Sequence, residues 1–183
     1  MDIKKILLIV GSVLLGLGVA LLVGFWIRDL MTFEQYSNVK EGIAMKFPRG
    51  WKVVPNPPGG AIVGFVEPKT NALAQFQANW NISKTELKVP LTLEEYVKAA
   101  NAQITFAFRD AVPSSRPVML SGHEGYELVY VSSKEDGLVL ISYVFITKGT
   151  AYNITFADVK EAYTNLTKKQ LIADVIRSLK VNF

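Results

Sequence analysis

The chain has no cysteine and a single histidine, His123, in 183 residues. The first absence excludes disulfides and thiolate chemistry, and leaves no thiol to carry a lipid. It is compatible with an oxidising compartment without requiring one. The second leaves any imidazole-based catalysis or zinc binding with one residue to use. Long blocks of one charge are missing too: the formal charge of +4 is a mild, dispersed excess, so composition does not point to nucleic acid. There is no internal repeat and no low-complexity segment.

What the chain does have is one long apolar run, Ile6 to Ile27, with Lys4 and Lys5 before it and Arg28-Asp29 after it. It contains no charge, amide or proline, and its 22 residues make a helix about 33 Å long at about 1.5 Å per residue. That matches a hydrocarbon core of about 30 Å, and a helix satisfies its own backbone there. A cleaved signal peptide would instead have an apolar core of about 7–15 residues ending in a small-x-small site. Trp26-Ile27-Arg28-Asp29-Leu30 offers none, and Gly18-Val19-Ala20 lies inside the run. The run therefore reads as an uncleaved transmembrane anchor. More Lys charge precedes it than follows it, which predicts a cytoplasmic N-terminus and an extracytoplasmic C-terminal domain in a cell membrane. Ser12, Gly16, Ala20 and Gly24 recur every four residues, placing small side chains on one face where another protein's helix, or a second copy of this one, can approach closely. The bilayer itself and such membrane proteins are the partners this segment predicts.

The chain thus divides into an anchor at 1–29, a polar linker at 30–40 and a domain at 41–183, long enough for one hydrophobic core. Ile43 to Phe47 alternates as a strand, Pro48-Arg49-Gly50 turns, and Trp51 to Val54 begins a second extended piece. Pro55 to Gly60 is a turn rather than a phosphate loop, because a strand, Ala61 to Val66, follows it and not a helix N-terminus. Leu73 to Ile82 reads as a further strand. Thr92-Leu93-Glu94-Glu95 is a capping box. It opens an amphipathic helix carrying Leu93, Tyr96, Val97, Ala100 and Ile104 on one face. Glu94 and Glu95 are there for the helix dipole, not as a catalytic pair. Pro113 to Pro117 reads as loop, and Ser121 to Gly125 as a bend. Tyr126 to Val131 and Leu138 to Ile146 form a hairpin whose second strand is apolar on both faces, so it belongs inside a covered sheet. Lys148-Gly149 turns into the strand Ala151 to Ala157. Leu171, Ile172, Val175, Ile176 and Leu179 close the chain with a second amphipathic helix, for which Thr167 and Gln170 offer a cap. Strands, helix, strands, helix is the order of an α+β sandwich with an antiparallel sheet between helical layers.

Several short motifs carry a resemblance. Gly42 and Phe47-Pro48-x-Gly50-Trp51 come first, then Gly122 before the long hairpin and Lys148-Gly149-x-x-Tyr152 entering the last long strand. Ile176-x-Ser178-Leu179-Lys180-Val181 closes the last helix. Together they resemble the PsbP-like superfamily, domains related to the extrinsic PsbP protein of the photosynthetic oxygen-evolving complex. The resemblance spans about Val39 to Val181. It implies an α/β/α sandwich with a central antiparallel sheet, acting as a non-enzymatic accessory or assembly factor bound to a larger complex. This chain departs from the photosynthetic members by carrying its own span, which weighs against a specific photosystem role.

Candidate chemistry is sparse. His123 with Glu124 beside it is a weak nucleus for a metal site, since such sites draw on several converging ligands. A Ser-His-acid hydrolase would need the same His123, and no nucleophile elbow is present. No enzyme, metal or cofactor is therefore expected. Asn81-Ile82-Ser83, Asn153-Ile154-Thr155 and Asn165-Leu166-Thr167 fit the glycosylation acceptor pattern. Two functions fit the remainder: an anchored scaffold or accessory domain docking through aromatic anchors such as Trp51 and Trp80, or an anchored ligand-binding or sensory module with a pocket between sheet and helix. The first predicts an exposed apolar patch, the second an enclosed concavity lined by converging polar groups.

Overall fold

The computed structural model describes residues 32–69, 76–107, 111–134 and 137–181. The span Ile6–Ile27 and its row Ser12, Gly16, Ala20 and Gly24 lie outside them. Among the described residues no helix is long and apolar enough to cross a membrane.

Period-two alternation builds most of the domain. Strands β1 (Phe33–Asn38), β2 (Ile43–Pro48), β3 (Lys52–Pro55), β4 (Val63–Val66) and β5 (Asn79–Glu86) precede helix α1 (Leu93–Ala107). Then come β6 (Ala111–Leu120), β7 (His123–Ser132), β8 (Leu138–Thr147) and β9 (Thr150–Val159), followed by helices α2 (Lys160–Thr164) and α3 (Leu166–Arg177) and the short β10 (Lys180–Val181). Seven strands form one antiparallel sheet in the order β3-β4-β5-β9-β8-β7-β6. A smaller sheet has the order β1-β2-β10. This is a sheet-dominated α+β fold on a large antiparallel sheet, with β8 inside that sheet as its double-sided apolar pattern predicts.

Each face of the large sheet takes every second residue. One face carries Val63, Phe65, Trp80, Ile82, Phe156, Ile154, Ile141 and Tyr143, all buried. Phe65 stacks on Phe47 of β2 and meets Tyr36 of β1 edge-on, so the small sheet lies over this face, and α3 packs on β2. The other face is covered in part. There α1 lies over β6, β7 and β8, burying Val97 against Leu128, Tyr130 and Val144 with Leu93, Tyr96, Ala100 and Ile104 around them. Tyr130 donates its hydroxyl hydrogen to Asn101 Oδ1 of α1, and burial pushes its phenol up to about 12.

The α1 cap forms as expected: Thr92 N donates to Glu95 Oε2 at 2.8 Å, and Glu95 N donates to Thr92 Oγ1 at 3.2 Å. Two hairpins close through two-residue turns with left-handed dihedrals at both positions, Ser121-Gly122 (φ 50° and 82°) and Lys148-Gly149 (φ 50° and 73°). Such turns match the twist of the flanking strands, which is the physical content of the Gly122 and Lys148-Gly149 motifs.

Four local readings are corrected. Phe33–Asn38, inside the stretch read as a polar linker, forms strand β1. Pro113 to Pro117 is not loop but part of β6, the edge strand of the large sheet. Proline removes a ladder donor and is tolerated at an edge, where its nitrogen faces away from the partner; Pro113 and Pro117, four apart, then blunt the same open side. Of the strand read over Leu73 to Ile82, Asn79 to Ile82 belong to β5, while Gln77 donates its amide to the Glu67 carbonyl and positions 73–75 lie outside the described residues. The last helix is capped by Asn165, whose Oδ1 accepts from Thr167 N at 2.8 Å and Lys168 N at 3.4 Å, rather than by Thr167 with Gln170; Gln170 instead donates to Asp174.

Candidate functional site

The partly covered face of the large sheet holds two concavities, one at each end of α1's reach. The first is a groove of about 750 Å³ between the start of α1 and the end of the β6-β7 hairpin. Thr92, Leu93 and Glu94 form one wall, and Pro117, Val118, Met119, Glu124 and Tyr126 the other. Pro117, Met119 and Tyr126 share a strand face, and the groove lies between them and the first turn of α1, while later turns of α1 cover Leu128 and Tyr130 of the same hairpin. It is partly open, its apolar floor of Leu93, Pro117, Val118, Met119 and Tyr126 is rimmed by Thr92, Glu94 and Glu124, and Met119 is 67% exposed.

The second is a cleft of about 620 Å³ over β4 and β5, beyond the strands that α1 covers. Asn79, Asn81 and Ser83 of β5 line it, with Gln77 and Phe76 at one end and Pro57-Pro58-Gly59 of the β3-β4 connection at another. Buried Gly64 forms part of the floor, where a β-carbon would lie 3.4 Å from Pro57. The polar row continues across the sheet, since Asn81 pairs with Thr155, Ser83 with Asn153, and Thr155 with Ser142. Ser142 Oγ and Thr155 Oγ1 are 3.1 Å apart, and Thr155 Oγ1 donates to Asn153 Oδ1 at 3.1 Å. Among the described residues, no hydrogen bond engages the side chains of Asn81 or Ser83.

The covered face carries two ion-pair clusters. Arg116 grips Glu127 through two bonds, Nε at 2.6 Å and Nη2 at 2.9 Å, and Tyr143 donates its hydroxyl to the same carboxylate. Burial alone pushes the Glu127 carboxyl up, but the bonds from Arg116 and Tyr143 outweigh it and hold it below the ordinary carboxylate range. Burial, with the Glu127 charge beside it, drives the Tyr143 phenol well above its ordinary range. A carboxyl whose folded pKa is depressed adds stability above its unfolded pKa and loses it as pH falls through the folded value. Glu127→Gln is accordingly expected to cost about 1–2 kcal/mol at neutral pH and nothing once the carboxyl protonates. Urea midpoints of both proteins from about pH 7 down to about pH 3 check this; parallel curves would reject it.

The second cluster is centred on Lys168 in the first turn of α3, which binds Asp158 at 2.9 Å and Glu67 at 3.3 Å. Its ammonium also lies 5.9 Å from the centre of the Trp51 ring.

The residues singled out in the sequence do not gather here. His123 and Glu124 are consecutive on β7 and so point to opposite faces: His123 stacks on Phe145 at 5.6 Å, while Glu124 borders the apolar groove. They do not converge on a common ion, and among the described residues no three His, Cys, Asp or Glu side chains form a group able to hold one. Trp51 and Trp80, read as exposed anchors, are core residues at 8% and 1% exposure, Trp80 packed on Phe156. Trp80 falls on the strand face of β5 that meets the second layer, and Trp51 lies in the turn before β3, where its backbone N donates to Pro48 O. Asn81-Ile82-Ser83 and Asn153-Ile154-Thr155 are acceptor-like because a polar row alternates with core isoleucines on paired strands. Sequence reasoning missed both concavities. The signal for the cleft was available in the asparagines at 79, 81 and 153, a residue type depleted in strands.

The fold is similar to that of PsbP. Among solved structures, the chain is similar to cyanobacterial PsbP (CyanoP) from Synechocystis, at 18% identity and a TM-score of 0.62, with 84% of this chain and 94% of that one covered. It is also similar to the Ran-binding protein Mog1p of Saccharomyces cerevisiae, at 12% identity and a TM-score of 0.57, covering 83% and 96%. LpqN of Mycobacterium tuberculosis, involved in cell envelope biogenesis, aligns at 14% identity and a TM-score of 0.50, covering 76% and 82%. Identities this low carry the fold alone. No protein-family profile matches the chain, and no curated protein matches it by sequence.

Proposed function

We propose that the chain is a non-enzymatic single-pass membrane protein whose PsbP-like domain is an accessory, scaffold or assembly subunit of a membrane protein complex. In this reading Ile6–Ile27 anchors it with the N-terminus cytoplasmic, and the domain, an α/β/α sandwich in its finer description, lies on the extracytoplasmic side. The small-residue row Ser12, Gly16, Ala20 and Gly24 supplies a face for a neighbouring helix. The observation that favours docking over small-ligand binding is the open apolar groove beside Met119. Exposed apolar patches of this kind serve association, and a flexible thioether adapts to a partner's shape. The ligand-binding alternative calls for an enclosed pocket between sheet and helix, whereas this groove is partly open to solvent.

Native electrophoresis of gently solubilised membranes, with mass spectrometry of what migrates with the protein, tests the reading. Co-migration with a defined assembly is expected. Met119→Glu is expected to reduce the co-migrating fraction about ten-fold or more, since a charge at the centre of an apolar contact removes on the order of 1.4 kcal/mol or more. A wild-type protein running alone, or a variant that co-migrates unchanged, would overturn docking through this groove.

A further inference from the structure

We infer that the cleft over β4 and β5 is a binding site for a neutral, hydroxyl-rich ligand, a saccharide, held by Asn81 and Ser83. The inference is independent of the apolar groove, which lies on the other side of α1. Three observations carry it.

The first is composition against structure. Asn79, Asn81 and Asn153 stand on two adjacent interior strands, although asparagine is disfavoured there and β-branched residues would stabilise the sheet. A sheet face left open to water needs polarity, but threonine provides that at no cost in strand propensity. A local rule broken repeatedly at one place marks function rather than folding. The second is bonding. Thr155 and Ser142 engage each other, and Asn79 turns back on Gln77. Asn81 and Ser83 are only partly exposed and yet make no side-chain hydrogen bond to the described protein. One amide and one hydroxyl offer donors and acceptors two residues apart on one strand face, about 7 Å from each other, the spacing of hydroxyls across a sugar ring or two.

The third is charge and shape. The row from Asn79 across to Ser142 carries no ionisable group; among the described residues that line the cleft, Lys69 alone contributes charge. An anionic ligand would leave amide oxygens facing its charge, and a cationic one would find no carboxylate. A neutral ligand with alternating donors and acceptors satisfies both ends of each amide. The prolines and Phe76 provide the apolar wall that the C–H face of a sugar ring packs against, in a cleft whose volume of about 620 Å³ suits one or two rings.

The test uses the full chain in lipid nanodiscs free of glycolipid and of sugar-headed detergent. Cellobiose, maltose and N,N′-diacetylchitobiose are titrated by calorimetry and by saturation-transfer NMR. Binding of at least one is expected, with an affinity insensitive to salt. Asn81→Ala with Ser83→Ala is expected to weaken it about ten- to thirty-fold, while Thr85→Ala, one step beyond the cleft on the same strand, leaves it unchanged. An unchanged urea midpoint in the double variant shows that the fold is intact. Binding of none of the three sugars, or binding that the double variant does not weaken, overturns the inference.

Discussion

Phe65→Ala is expected to destabilise the domain by about 3–5 kcal/mol. Phe65 is fully buried, and its ring does more than fill volume. It lies 4.9 Å from the Phe47 ring of β2 and 5.5 Å from the Tyr36 ring of β1, stacked on the first and edge-on to the second. It is therefore the side chain through which the seven-stranded sheet grips the three-stranded one. Truncation leaves a cavity between two layers that the paired strands prevent from collapsing, and forfeits aromatic contacts worth about 0.5–1.5 kcal/mol beyond area. Domains have about 5–15 kcal/mol in total, so a large share of the stability goes with one ring. Urea unfolding measures it as a lowered midpoint with an unchanged slope. A loss below about 1 kcal/mol would show that the layers are held elsewhere.

Lys168→Met is the second large effect, expected at about 2–4 kcal/mol. The Lys168 ammonium is shared between Asp158 and Glu67, and the Asp158 side chain is only 7% exposed. Methionine keeps an unbranched stem of similar length and removes the ammonium, and with it both ion pairs and the contact with the Trp51 ring. Two carboxylates drawn to one point are then left facing each other, and Asp158, nearly buried, keeps among the described residues only the bond from Val159 N. The cost comes mainly from that stranded Asp158 charge, because removing one partner of a buried pair is far more expensive than the pair is worth. Adding Asp158→Asn to the Lys168→Met variant is accordingly expected to restore about 1–2 kcal/mol, a coupling that a double-mutant cycle resolves. Additive losses would mean that Lys168 acts through packing alone.

The legible parts of this chain were those settled within a few residues. The Thr92 to Glu95 box formed because both bonds close inside one helical turn. The Tyr126 to Ile146 hairpin and the turns at Gly122 and Lys148-Gly149 are likewise local, the turns being fixed by dihedrals that few residues adopt. Errors fell where a local signal was outvoted by a neighbour in space. Two prolines argue for loop, and in isolation they would make one; β6 is strand because β7 supplies bonds along one side and the prolines face the other. Polar residues at 34–38 argue for linker, and become β1 because β2 is next to them. Asn165 and Thr167 are both good caps, and the backbone's exit from α2 decided between them.

The sequence by itself determined the membrane-length apolar run, the antiparallel α+β class, the identity of both amphipathic helices and the glycine motifs that mark the tight turns. All of these are written in spacing and side-chain chemistry along the chain. Only the tertiary structure decided that Trp51 and Trp80 are core, that His123 and Glu124 point apart, and that α1 covers three strands of a seven-stranded face. The last decides the candidate sites, since both concavities exist where that helix stops. The physical reason is that alternation along a strand tells which residues share a face but not what lies above it. The cover comes from elements distant in sequence, and the length of one helix against the width of one sheet is a property of neither alone.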